Sequence, residues 1–82
     1  MQKTVRVGAA VGLHARPAAA LVAAAGKVAG EVRIGREGAP LVDAKSILNV
    51  LTLGAGHGDE LVLEADDTEA LDRLAQMVET AE

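Results

Sequence analysis

Three short runs in which polar and apolar residues alternate one by one constrain this chain more than anything else in it: Thr4-Val5-Arg6-Val7, Glu31-Val32-Arg33-Ile34 and Glu60-Leu61-Val62-Leu63-Glu64-Ala65. Alternation with period two places every second side chain on the same face of a strand. Val5, Val7, Val32, Ile34, Leu61 and Leu63 then form one apolar face, and Thr4, Arg6, Glu31, Arg33, Glu60 and Glu64 form a face that can stay in water, with Val62 as its only breach. The first two runs end at Gly8 and Gly35. A fourth strand is expected over Ala39 to Val42, folded back on the second through the turn Gly35-Arg36-Glu37-Gly38, with Pro40 consigning it to a sheet edge.

Helical spacing fills the intervals. Leu71, Leu74, Ala75 and Val78 recur at i, i+3, i+4, i+7 behind an acidic first turn of Asp66, Asp67 and Glu69. A first helix over about Arg16 to Lys27 sets Ala18, Leu21, Val22 and Ala25 on one face and stops at Gly26 or Gly30. A short middle helix starts on Ser46, a good N-cap, and ends near Thr52 before Gly54. The order β-α-β-β-α-β-α predicts an α+β fold, an open-faced β-sandwich in which a four-stranded antiparallel sheet carries three helices on one face. At 82 residues, with no linker or internal repeat, the chain has interior for a single core, so one domain over residues 1–82 is expected.

Composition removes several function classes. Without cysteine there is no disulfide framework, thiolate metal site or cysteine nucleophile, and two histidines with scattered carboxylates show no metal-ligand spacing. No metal or other cofactor is expected. The longest nearly uncharged run, Ala18 to Gly26, falls well short of the roughly 20 residues of a membrane span, and Met1 leads straight into a strand pattern rather than a signal peptide, so a cytoplasmic protein with no membrane insertion is expected. A net charge of -4 and no aromatic ring on which a base could stack argue against nucleic acid.

The chemistry concentrates in Gly12-Leu13-His14-Ala15-Arg16-Pro17-Ala18, which joins the first strand to the first helix. Pro17 suits the opening helical turn and so sets His14 at the helix entrance. The helix start over Ala15, Arg16, Pro17 and Ala18 offers N–H groups without intrahelical partners and the positive end of the dipole, to which Arg16 adds a guanidinium, and a phosphate fits there. A neutral imidazole nitrogen is itself a nucleophile toward phosphorus, so His14 could take up a phosphoryl group and release it to a second acceptor. Spacing alone does not separate this from an ordinary loop histidine beside a solvated arginine.

That stretch, together with Ala44-Lys45-Ser46-Ile47-Leu48, Leu53-Gly54 and Gly58, resembles HPr, the histidine-containing phosphocarrier family of the bacterial phosphoenolpyruvate:sugar phosphotransferase system, along essentially the whole chain. The resemblance implies that His14 accepts phosphate from enzyme I, on the δ nitrogen of its ring, and passes it to enzyme IIA components of sugar permeases, with Arg16 steadying the group. It implies a monomeric carrier, a phosphoryl-transfer intermediate rather than a stand-alone catalyst. Ser46 looks like the target of HPr kinase/phosphorylase, which damps transfer to His14. That kinase occurs only in some lineages, and an N-cap is reason enough for a serine there, so regulatory use stays open. The alternative on the same fold is a regulatory interaction module whose phosphorylation state is read by a transcription factor or kinase without sugar import. A hydrolase using His14 as general base lacks a nucleophile and a pocket.

Ile47, Val50 and Leu51 are assigned to the core side of the middle helix, leaving Leu48 and Leu53 toward solvent beside the His14 loop. With Leu51 at its margin and Arg16, Lys27 and Lys45 around it, this aliphatic spot suits a transient partner with an apolar pocket and acidic rim. Asn49, where the family often has glycine, borders the patch. The glycine-rich Gly54-Ala55-Gly56-His57-Gly58 leads into a strand rather than a helix and is read as a flexible turn with His57 solvated. Two further departures from the family are a core without phenylalanine or tyrosine and a short Ala65-Asp66-Asp67-Thr68 connection.

Overall fold

The alternating runs become three strands of a four-stranded sheet; two helices form between strands and a third follows the last strand. A computed structural model describes residues Met1–Glu82. Along the chain lie β1 (Gln2–Arg6), α1 (Ala15–Gly26), β2 (Val32–Arg36), β3 (Val42–Asp43), α2 (Ile47–Thr52), β4 (Glu60–Ala65) and α3 (Thr68–Thr80). The strands are ordered β1-β4-β2-β3 and every neighbouring pair is antiparallel. β4, late in the sequence, is therefore interior, while β1 and β3 are the edges.

Register follows the two faces. Val5 sits opposite Leu61 and Ile34 opposite Leu63, and these four are buried together with Val7, Val32 and Ala65. On the other face Arg6 is opposite Glu60, Arg33 opposite Glu64 and Gln2 opposite Glu64, where the Gln2 amide donates to the Glu64 carboxylate at 3.0 Å. Opposite charges facing across strands support the pairing modestly. Val62 is half-buried between Thr4 and Gly35. The helices close the apolar face: α1 buries Ala18, Leu21 and Ala25, and α3 buries Ala70, Leu71, Leu74, Ala75 and Val78. No buried residue is polar or charged.

Gly8 lets the end of α3 come down on the chain just after β1. Its N–H donates to the Val78 carbonyl at 3.0 Å, and a Cβ there would collide with the Glu79 carbonyl. Asp67 caps α3, its carboxylate accepting from the Glu69 and Ala70 N–H groups at 3.0 and 3.2 Å, so it acts through a directed hydrogen bond rather than only as charge in an acidic first turn.

Several boundaries differ from expectation. The fourth strand is Val42–Asp43 rather than Ala39 to Val42, because Pro40 cannot donate to a ladder and pairing resumes only at Ile34 opposite Val42. β2 runs through Gly35 to Arg36 instead of stopping at the glycine, since Gly35 and Arg36 pair with Val62 and Leu61. β1 ends at Arg6, and Val7 leaves the ladder while remaining buried, its N–H donating to the Asp59 carbonyl at 3.0 Å. No helix is long and apolar enough to cross a membrane.

Candidate functional site

α1 begins at Ala15, with His14 as its N-cap residue in extended conformation (φ -81, ψ -174). The His14 carbonyl accepts the first helical bond, from Ala18 at 3.0 Å, while its ring makes no capping hydrogen bond. A serine or aspartate in this position would turn its side chain back onto the helix; the imidazole does not, and it stays half-exposed. Two N–H groups of the first turn, those of Ala15 and Arg16, have no intrahelical acceptor. Pro17 has no N–H, and the Ala18 N–H, counted in the sequence among the phosphate donors, is consumed by His14 in a fully buried residue. Arg16 is exposed and lines a shallow hollow of about 410 Å³ with Pro17, Ala20, Met77 and Glu82. The site thus collects an imidazole, two free amides, the helix dipole and one exposed guanidinium at the surface.

The loop that carries His14 is fixed from the far side of the sequence. Gly12 has φ +84, and a Cβ there would lie 2.5 Å from the Ala55 carbonyl oxygen and 2.9 Å from the Gly56 Cα. The Leu13 N–H donates to that same Ala55 carbonyl at 2.9 Å. The Gly58 N–H donates to the Val7 carbonyl at 2.9 Å, and His57 Nδ1 lies 3.2 Å from the Ala9 carbonyl. The Gly54–Gly58 turn, expected to be a flexible glycine loop with a solvated histidine, is therefore a bracket under the His14 loop, although His57 remains an exposed residue, as expected. Backbone donors find partners across a gap of more than forty positions, a relation that local spacing does not carry.

Beneath the bracket lie two residues that sequence reasoning passed over. Arg36, at the end of β2, donates through Nε to the Leu53 carbonyl at 3.0 Å, and through Nη2 to the Gly54 carbonyl at 2.8 Å and to Asp59 Oδ2 at 3.1 Å. Asp59 Oδ2 also accepts the Gly56 N–H at 2.8 Å. The Gly56 N–H and the Arg36 guanidinium hold the Asp59 carboxyl below 3.8, against the opposing effect of desolvation. One available signal was Arg36 itself, which shares the helix-side face of β2 with Val32 and Ile34, an unusual place for a charge.

Ser46 is the N-cap of α2, its hydroxyl accepting the Asn49 N–H at 3.3 Å. Of the expected core-facing residues on α2 only Val50 is buried; Ile47 and Leu51 are each 40% exposed and Leu48 is 68% exposed. Leu53, expected toward solvent, packs against the core. A helix of six residues has no second repeat to fix its inner face, and α2 lies on α1 with only Val50 buried. The apolar surface is thus Ile47, Leu48 and Leu51. Of the three cations expected around it, Arg16 lies in the first turn of α1 and Lys27 at its other end. Lys27 caps the far end of α1, about 16 Å from Arg16 along the axis at 1.5 Å per residue. Lys45 is tethered, its ammonium donating to the Val28 carbonyl at 2.9 Å. Asn49 reaches the Asp43 carbonyl at 3.5 Å. No group of three or more histidine and carboxylate side chains is arranged to hold a metal ion.

The open-faced sandwich carries a half-exposed histidine at the mouth of its first helix, and comparison with known proteins places the chain in a class of small phosphoryl carriers. The family model described as the PTS HPr component phosphorylation site matches residues 1–81. Phosphocarrier protein HPr of Haloferax volcanii is 45% identical, the match covering 100% of this chain and 97% of that protein. Its counterpart in Streptomyces coelicolor is 47% identical over 94% of this chain and 86% of that protein. The crystal structure of phosphocarrier protein HPr from Bacillus anthracis superposes with a TM-score of 0.84 at 37% identity, covering 95% of each chain. The chain belongs to the HPr phosphocarrier family.

Proposed function

We propose that the chain is phosphorylated on the His14 ring by phospho-enzyme I and hands the group to enzyme IIA components of sugar permeases, with Ser46 as a site of modulation. The observation that carries the reading is the half-exposed His14 ring at a helix mouth whose Ala15 and Arg16 amides are unclaimed. The Nδ1 lone pair attacks phosphorus, an N–P bond forms as the donor's bond to phosphorus breaks, and the charge on the transferred oxygens meets the two amides, the dipole and the Arg16 guanidinium. Return is the same step with the acceptor's nucleophile attacking. A site open enough for two successive partners needs no pocket, and the apolar patch of Ile47, Leu48 and Leu51 supplies a small surface for brief docking. The chain is a carrier in this reading and transforms no small molecule by itself. It works as a monomer in the cytoplasm, where its partners are met.

The test is incubation with enzyme I and phosphoenolpyruvate labelled on phosphorus. Acid-labile label is expected on the wild-type chain and none on His14→Ala. Label that persists in His14→Ala, or that survives acid as a serine ester does, defeats the reading. A regulatory role on the same fold is the second reading, favoured by the likeness to the Bacillus subtilis catabolite repression protein Crh, at 36% identity, a TM-score of 0.71 and 100% of this chain covered. The two part on whether label on His14 moves to an enzyme IIA.

A further inference from the structure

We infer that Arg36 and Asp59 are positioning residues for His14, acting as a latch that holds the Gly54–Gly58 bracket against the phosphoryl-accepting loop. The inference rests on the carrier reading of His14 for its functional consequence, but its physical content is a set of contacts. Arg36 uses one guanidinium to grip the Leu53 and Gly54 carbonyls and the Asp59 carboxylate, at 3.0, 2.8 and 3.1 Å. Asp59 in turn grips the Gly56 N–H at 2.8 Å through side-chain Oδ2, while its backbone N–H donates to the Gly56 carbonyl at 3.1 Å. Both ends of the turn are thus fastened to β2 and to the entry of β4.

What the fastened turn presents on its other side is Ala55, whose carbonyl takes the Leu13 N–H at 2.9 Å and against which Gly12 packs without room for a Cβ. Leu13 directly precedes the acceptor. A displacement of the turn therefore moves the residue that sets the direction in which His14 enters α1. Three of the five glycines with positive φ, Gly12, Gly54 and Gly58, lie in these two loops, so neither has much intrinsic rigidity. The ordering comes from the charged pair and its carbonyl contacts, since hydrogen bonds to ionised groups are the stronger kind. Proximity effects in group transfer are steep, and a shift of about 1 Å at a reacting atom can cost up to a hundredfold in rate.

The experiment pairs hydrogen exchange with kinetics on the full chain carrying Arg36→Met or Asp59→Asn. The Leu13 amide is expected to exchange about tenfold faster in either variant, while the amides of β4 keep their wild-type rates. The kcat of enzyme I for the variant carrier should fall about tenfold with KM held, because docking residues on α2 are untouched. Arg36→Lys, which keeps the charge but not the planar fork of donors, should recover part of both readouts. If Arg36→Met unfolds, Asp59→Asn and Arg36→Lys carry the test. Leu13 exchange at the wild-type rate in both Asp59→Asn and Arg36→Lys, or acceleration only in step with β4, overturns the latch. So does an unchanged kcat in a variant whose Leu13 amide has been freed. Failure of the carrier reading looks different: wild-type protein takes no label, and the Leu13 amide still decides whether the latch exists.

Discussion

Gly12 shows how much of a chemical site is decided by a missing methyl group. With φ +84 and the Ala55 carbonyl in the way, Gly12→Ala must both strain its backbone and push the two loops apart. A loss of about 1–3 kcal/mol in urea unfolding is expected for the backbone conformation alone, accompanied by slower labelling of His14. Arg16 makes no ion pair in the protein, so Arg16→Ala should leave the melting temperature unchanged and slow phosphoryl transfer, measured by single-turnover kinetics. Ser46 separates two roles in the same way. Ser46→Ala should cost about 1 kcal/mol through the lost cap, whereas Ser46→Asp keeps an acceptor for the Asn49 N–H, holds stability and lowers the rate of labelling by enzyme I. At this scale the sequence was informative wherever a residue's part depends on its immediate neighbours: His14, Pro17 and Ser46 stand where helix-start chemistry put them. Arg36 and Asp59 escaped because their pairing spans twenty-three positions and appears only once β2 and β4 are side by side.

Among the elements, α2 is the one whose sequence misleads. Its six residues do not complete two turns, so helical periodicity has no second repeat with which to fix a face, and Ile47 and Leu51 end up outside. The longer α3 repeats its apolar spacing and was readable throughout. Leu48→Asp, on the exposed side of α2, is expected to raise the KM of enzyme I for the carrier with no change in melting temperature, a separation that calorimetry and initial rates together resolve. β3 was missed in extent because a two-residue strand has no alternation to display. The joint between β2 and the turn before β4 carries a pH dependence. Asp59 is held below 3.8 in the folded chain, so its contribution is fully present above that value and disappears as pH falls through the lower, folded-state value. Urea midpoints followed from about pH 5 to pH 2 should therefore show wild type and Asp59→Asn converging as the medium becomes more acid.

For the molecule as a whole, a core of valine, leucine, isoleucine and alanine alone does the work that larger side chains share elsewhere. Leu21, Leu61, Leu63 and Leu74 are among its largest fully buried members, and with no ring to spread the load each truncation leaves a void that small neighbours fill poorly. Leu21→Ala is expected to cost about 2–5 kcal/mol, enough to leave so small a protein partly unfolded at 37 °C by circular dichroism. The placement of β4 between β1 and β2 has a consequence for how the protein comes into being. While a ribosome is still making the first fifty residues, β1 has no neighbour to pair with, and the bracket below His14 has yet to be synthesised. A nascent chain of that length thus carries the His14 motif without the β1 pairing and the Ala55 contact that hold its loop in the finished fold.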